Sequence, residues 1–182
     1  MKLNLGAGHD LHSGFVNHDI ANLDGIDVVH DLNIFPWPWE DDTFDEILMF
    51  DVLEHLDKTL VSIEEIHRIL KPNGVITIKV PYWNSSYFYM DPTHVRGFHE
   101  GLFHFFDPSK SLCKQRPYYT SSRFEILEET FILIPFLPYL KLPFFDKIFI
   151  KHPLLKRVVG FFGNIFNNII LDLRVKLKKV AE

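Results

Sequence analysis

Cysteine is almost absent from the 182-residue chain: Cys113 is the only one, so no disulfide can form within the chain and a reducing cytoplasm is the expected compartment. Long apolar runs are missing as well. The longest charge-free stretches of note, Thr130–Leu140 and Val158–Leu171, have 11 and 14 residues, short of the ~20 that a membrane-crossing helix needs. Met1 leads almost at once into a strand-like segment, with no basic leader and no apolar signal region, so secretion is not expected. No Gly-Lys-Ser or Gly-Lys-Thr triplet occurs, which argues against a phosphate-loop ATPase. Internal repeats and low-complexity tracts are also lacking.

What is present fits one globular domain over residues 1–182, with 47% apolar and 24% charged residues and enough length for a real core. Disordered and fibrous classes are excluded. The net charge of −5 argues against a general nucleic-acid binder, yet it hides a division. Residues 1–81 hold 5 basic and 15 acidic side chains, whereas residues 82–182 hold 14 basic and 9 acidic ones. Of the 27 aromatic residues, 21 lie from Tyr82 onward. An acidic half low in aromatics is thus joined to a basic, aromatic half.

Lys2–Leu5, Phe15–Ile20, Ile26–His30 and Asp45–Phe50 are apolar runs of strand length, punctuated by Gly6, Gly8, Gly14 and Gly25. Leu60, Ile63, Ile66, His67 and Leu70 recur at helical spacing, and Lys71-Pro72-Asn73-Gly74 supplies the break. Val75–Val80 follows as a buried strand. Continuous rather than alternating apolar runs indicate a mostly parallel α/β sheet. Residues 82–122 hold Tyr, Phe, His and Pro without a sustained period, which makes them a candidate lid or substrate loop. Phe124–Leu133 and the alternating Leu171–Lys178 read as an antiparallel pair. Between these two, Pro135–Phe166 forms a Phe-rich insertion in which short helices are expected.

The sharpest chemical signal is Leu3-Asn4-Leu5-Gly6-Ala7-Gly8 at the end of the first strand. Glycines there let backbone approach a ligand, and ligands of open α/β sheets bind outside the carboxyl ends of the strands. Asp19 ends the second strand and Asp31 the third; a carboxylate in such a position can hold a ribose hydroxyl pair, although either acid alone could simply cap a turn. A dinucleotide dehydrogenase is disfavoured, because His9-Asp10 stand where a third glycine is needed.

With LNLGAGHD (3–10), NHDI (17–20), HDL (30–32), FDEILMFDVLEHL (44–56) and IHRILKPNGVITIKVPY (66–82), the chain resembles the class I S-adenosylmethionine-dependent methyltransferases, above all the small type-11-like group. The resemblance implies a Rossmann-like fold with a mostly parallel seven-stranded sheet, an antiparallel last strand and a helical insertion. It also implies S-adenosylmethionine as cofactor. Asn4, Gly6 and Gly8 would border its methionine part, Asp19 would bind its ribose, Asp31 with Leu32 would contact its adenine, and Phe50 and Asp51 would lie beside the methionine and sulfonium end, with Ala7 and Ile20 also among the cofactor-binding residues. Two departures stand out: Asn4 replaces a commonly acidic residue, and only about ten residues separate Leu5 from Phe15, so the usual helix there must be vestigial. A weakened cofactor site, or one completed by later segments, is the consequence to expect.

Asp91-Pro92-Thr93-His94-Val95-Arg96-Gly97-Phe98-His99 follows the strand whose end should face the transferred methyl group. His94 is the candidate base for a substrate hydroxyl or amine, while the same residues also make good turn and cap chemistry. His94, His99 and His104 at five-residue intervals do not share a helix face, so no metal site is expected from them. Glu54-His55 is either helix-start packing or a wall of the methyl pocket. Trp37 and Trp39 either cover the sheet near the adenine pocket or form an exposed connector.

From Lys147 to Glu182 there are eight Lys or Arg and two acids, interleaved with Phe, Ile and Leu. That pattern suits peripheral contact of residues 135–166 with an anionic membrane or a lipid-linked acceptor, a core-covering helix pair, or a homodimer interface. The function to expect is methyl transfer to oxygen or nitrogen of a small-molecule or glycan-type acceptor. The alternative is a non-catalytic methyltransferase-like module that binds a partner or a membrane surface.

Overall fold

The computed structural model describes residues 1–133 and 147–181. Eight strands form one sheet: β1 (Lys2–Leu5), β2 (Val16–Asp19), β3 (Val28–Val29), β4 (Phe44–Phe50), β5 (Leu70–Pro81), β6 (Phe124–Leu133), β7 (Ile148–Ile150) and β8 (Asp172–Lys179). The four described α-helices are α1 (Thr59–Ile69), α2 (Ser86–Met90), α3 (Ser111–Gln115) and α4 (Pro153–Ile165), with 3₁₀ turns at Leu53–His55, Glu100–Phe105 and Pro117–Tyr119.

Strand order is β3-β2-β1-β4-β5-β8-β6-β7. The first five strands pair in parallel, and β8, β6 and β7 add antiparallel partners. This is the Rossmann-like arrangement of class I methyltransferases, mostly parallel with antiparallel final strands. The chain leaves β1 in one direction and returns at β4 on its other side, so a switch point lies between the carboxyl ends of β1 and β4. Leu3, Leu5, Ile47, Met49, Ile76 and Ile78 form the buried centre, as expected where both sheet faces are covered.

The sheet has eight strands rather than seven. β7 pairs Ile148–Ile150 with Phe131–Leu133, and three residues inside a Phe-rich run have no period that would distinguish them from their neighbours. The helix break also lies earlier than expected: α1 ends at Ile69, and Lys71–Gly74 already belongs to β5, opposite a register shift between Phe44 and Glu46. Asn73 supplies the left-handed turn there with φ 64°. Lys179 from β8 closes this corner, donating to the Leu70 carbonyl and to Asp42, each at 2.7 Å.

Of the expected lid, the stretch from Phe98 onward is anchored. Phe98, Phe103 and Phe106 lie in the core, and Tyr82 both bridges to Phe98 and donates its hydroxyl to Glu100. In the insertion, the described part is β7 followed by the single helix α4, which buries only Gly163. Pro135, Pro138 and Pro143 lie outside the described residues. Among the described residues no helix is long and apolar enough to cross a membrane.

Candidate active site

A cavity of about 450 Å³ opens where the ends of β1 to β4 converge, lined by Gly6, His18, Asp19, Ile20, His30, Asp31, Leu32, Asn33, Asp51, Val52, His55, Leu56 and Thr93. Its size falls in the ordinary range for small-molecule sites. Six of the ten expected cofactor residues line it: Gly6, Asp19, Ile20, Asp31, Leu32 and Asp51. The other four, Asn4, Ala7, Gly8 and Phe50, are not among its lining residues.

Those four have visible work to do. Buried Asn4 donates its amide to the Asp10 carbonyl at 2.9 Å and to Asn17 Oδ1 at 3.1 Å, tying the glycine loop to β2. Gly8 N–H donates to Asp19 Oδ2 at 2.8 Å, and Ala21 N–H donates to Oδ1 at 2.9 Å. Asp19 is therefore fixed from two sides, while a carboxylate keeps further acceptor capacity for a ligand. Ala7 N–H reaches the His18 carbonyl at 2.8 Å. The Phe50 ring lies 5.9 Å from Lys79 Nζ.

Sequence reasoning missed His18 and His30. His18 Nε2 lies 2.9 Å from the His30 carbonyl and donates to it; its Nδ1 is buried without a partner among the described residues. Burial pulls the His18 pKa below its usual value, so the ring is neutral at pH 7. Both residues stand inside motifs read for their aspartates, and the sequence carries no further signal for them. Trp37 and Trp39 lie behind the cavity: buried Trp37 donates its indole N–H to the Leu32 carbonyl at 3.0 Å, and Trp39 packs edge-on against His18.

Asp51 ends β4 with φ 56°, an uncommon conformation for a residue with a side chain and a familiar one at sites. Its carboxylate pairs with Lys79. Asp51 also lines a second cavity of about 360 Å³, shared with Glu54, Lys79, Pro81, Tyr87, Met90, His94, Lys147 and Asp172. Glu54 is fully buried there, and burial, with Asp51 nearby as a lesser cause, pushes its pKa up to about 8. Burial likewise raises the Asp172 carboxyl above its usual range. The candidate base His94 sits on this cavity, with Nδ1 2.9 Å from the Phe88 carbonyl and Nε2 3.9 Å from Glu54 Oε1. His99 and His104 go elsewhere: His99 faces Glu100 at 3.5 Å, and His104 pairs with Glu129 at 2.9 Å.

A larger cavity, about 710 Å³, lies between β6 and α4. Glu128–Lys151, Glu129–Lys156 and Glu129–His104 ion pairs occupy its polar lining. Among the described residues its lining has none of the strand-end glycines or aspartates.

Residues 3–78 match the family model described as a methyltransferase domain, which bears out the resemblance read over the first half. No curated protein sequence matches the chain. Among solved structures, it is similar to an S-adenosylmethionine-dependent methyltransferase from Archaeoglobus fulgidus, with 19% identity, 98% of this chain and 85% of that chain covered, and a TM-score of 0.61. It is also similar to a Thermotoga maritima methyltransferase described as a possible histamine N-methyltransferase, with 14% identity, coverage of 98% and 81%, and a TM-score of 0.63. The [4+2]-cyclase SpnF has the same fold, with 13% identity, coverage of 100% and 74%, and a TM-score of 0.56. Likeness at these identities establishes the fold, and one fold can host different chemistries.

Proposed function

We propose that the protein transfers the methyl group of S-adenosylmethionine to an oxygen or nitrogen of a small-molecule, glycan-type or lipid-linked acceptor. The observation that carries this reading is the 450 Å³ cavity at the strand switch point, walled by Asp19, Asp31 and Asp51. Asp19, Asp31 and Asp51, the last shared with Lys79, favour a cationic ligand, and among the described residues no lysine or arginine lines the cavity to favour a phosphate.

When bound, the cofactor supplies an electrophilic methyl group on a sulfonium. Asp19 would accept from the ribose hydroxyls, Asp31 and Leu32 would border the adenine with Ile20 at the lip, and Asp51 would face the cation. Asn4, Ala7 and Gly8 hold the loop that shapes this cradle, and Phe50 backs the sulfonium end. Asp51 belongs to both cavities, so donor and acceptor meet across it. Residues 1–82 hold the cofactor, joined at its cavity by Thr93, and residues 83–182 shape the acceptor side together with Asp51, Glu54, Lys79 and Pro81, within one domain. His94 keeps its ring proton on Nδ1, facing the Phe88 carbonyl, which leaves the Nε2 lone pair to take a proton from the acceptor. Most of the acceleration comes from alignment and exclusion of water. His94→Ala should lower turnover at least tenfold with cofactor affinity unchanged; undiminished turnover removes His94 from the reaction.

The exposed face of α4, described residues of the 135–166 segment, favours a second reading, a non-catalytic module that docks on a membrane or a partner, including a second copy of the chain. Calorimetry with S-adenosylmethionine and S-adenosylhomocysteine separates the two. One-to-one binding is expected; none at millimolar ligand overturns the methyl-transfer reading.

A further inference from the structure

Glu54 is 0% exposed, and among the described residues neither of its carboxylate oxygens has a hydrogen-bond partner. An orphaned buried acid is costly and calls for an occupant beside it. Two histidines flank the acid. His55 follows it in the 3₁₀ turn Leu53–His55, and His94 arrives on the loop after α2, docked by Val95 N–H donating to the Glu54 carbonyl at 2.8 Å. One ring nitrogen from each histidine and one Glu54 oxygen lie within 4.8 Å of one another. The two rings cross at 62° with centroids 4.6 Å apart.

The outer face of each ring fixes which nitrogen keeps the proton. His94 Nδ1 lies 2.9 Å from the Phe88 carbonyl, which can only accept, so the proton stays on Nδ1 and the lone pair on Nε2. His55 Nδ1 lies 2.9 Å from Thr93 Oγ1, and that hydroxyl gives its own hydrogen to Asp91 Oδ1 at 2.6 Å. The Thr93 oxygen is left to accept, so His55 also carries its proton on Nδ1 and its lone pair on Nε2. A carbonyl behind one imidazole and a hydroxyl–carboxylate pair behind the other is how metal-binding histidines are oriented.

We propose that Glu54, His55 and His94 form a site for one divalent first-row transition ion of the zinc or iron(II) kind. Two imidazoles and one carboxylate suit such ions and disfavour magnesium and calcium, which prefer all-oxygen shells. At bond lengths of roughly 2.0–2.2 Å the donors of a tetrahedral site stand about 3.5 Å apart, so loading draws the three together by about an ångström. Three protein ligands leave positions open, the hallmark of a reactive rather than a structural site. Glu54 and His94 line the 360 Å³ cavity and His55 lines the 450 Å³ one, so an open position faces the space where donor and acceptor meet. Only in the metal-free protein is the His94 lone pair free to act as the base; in the loaded protein it serves the ion, and an acceptor hydroxyl bound at the open position, acidified by the ion, releases its proton to water.

The proposal does not depend on the methyl-transfer reading, which cofactor calorimetry on the metal-free protein tests separately. Tag-free, EDTA-stripped protein is titrated with Co²⁺, followed by its visible ligand-field absorption, and then displaced with Zn²⁺. A single saturable site is expected, with a melting-temperature rise of about 5–10 °C at Zn²⁺ a hundredfold above Kd. Glu54→Gln, His55→Gln and His94→Gln, checked for folding by circular dichroism, should each weaken Co²⁺ at least tenfold. Thr93→Val, which removes only the group orienting His55, should weaken it ~10–100-fold. His99→Gln, outside the cluster, should leave affinity unchanged. Absence of saturable binding, or binding that survives the His55 and His94 substitutions in folded protein, overturns the proposal.

Discussion

A side chain at Gly6 faces two obstacles: the backbone stands at φ 65°, and an added Cβ would overlap Val52 Cγ2. Gly6→Ala should therefore cost about 1–3 kcal/mol, lowering the melting temperature by roughly 2–4 °C per kcal/mol for a chain of this size. Pairing it with Val52→Ala should recover the steric part and leave the backbone part, so the double variant should lose less stability than the sum of the two single losses; strict additivity would show that the two residues do not meet. Asp51 permits a cleaner electrostatic test. Asparagine tolerates the same left-handed conformation, so Asp51→Asn removes charge with little strain. Affinity for S-adenosylmethionine, a sulfonium cation, should fall about tenfold, or ~1.4 kcal/mol. Affinity for the neutral thioether S-adenosylhomocysteine should fall much less. Equal losses in calorimetry would place Asp51 away from the sulfonium.

Helix α4 is held to β6 by a small ionic latch. Glu129 accepts from His104 Nε2 at 2.9 Å and from Lys156 Nζ at 2.8 Å, and Lys156 Nζ stands 5.1 Å from the Phe131 ring centre. Burial opposes ionisation of Glu129, but the bonds from His104 and Lys156 outweigh it and bring its pKa down to about 2. A carboxylate held below its unfolded value stabilises the native state above about pH 4.5 and loses that contribution as pH falls towards 2. Glu129→Gln should therefore be less stable than the parent by up to about 3 kcal/mol at pH 6, with the gap closing as pH falls towards 2 in urea titrations. A pH-independent gap would mean that packing, not charge, holds α4. How legible each element was follows from similar physics. β1, β4 and β5 announce themselves because strands buried on both faces read as continuous apolar runs between glycines and aspartates. β7 is three residues within a Phe-rich run. The acids of the 450 Å³ cavity were legible because each stands at, or within two residues of, the end of its own strand. The Glu54–His55–His94 cluster was not, because His94 lies 39 positions beyond His55 and only folding joins them.

At the scale of the whole molecule, the charge division coincides with the division of labour proposed for the two halves, and α4 gives the basic half its exposed face. Leu154 is 66% exposed, Phe161 61% and Ile165 58%, with Lys151, Lys156 and Arg157 alongside. Two forces could seat this helix on an anionic bilayer, and their sizes rank them. Each Phe or Leu that enters the interface contributes roughly 1.5–3 kcal/mol, against ~1 kcal/mol per cation near the surface. Two of those cations are already paired, Lys151 with Glu128 and Lys156 with Glu129. Flotation with phosphatidylserine-containing vesicles should therefore decline only modestly from low to physiological salt, yet disappear in Phe161→Asp, a substitution at an exposed position that leaves the core untouched. Neutral vesicles should bind more weakly. If the parent chain fails to float, or floats unchanged after Phe161→Asp, α4 is not a membrane contact; a concentration-dependent dimer that this substitution breaks would identify a second copy of the chain as its partner.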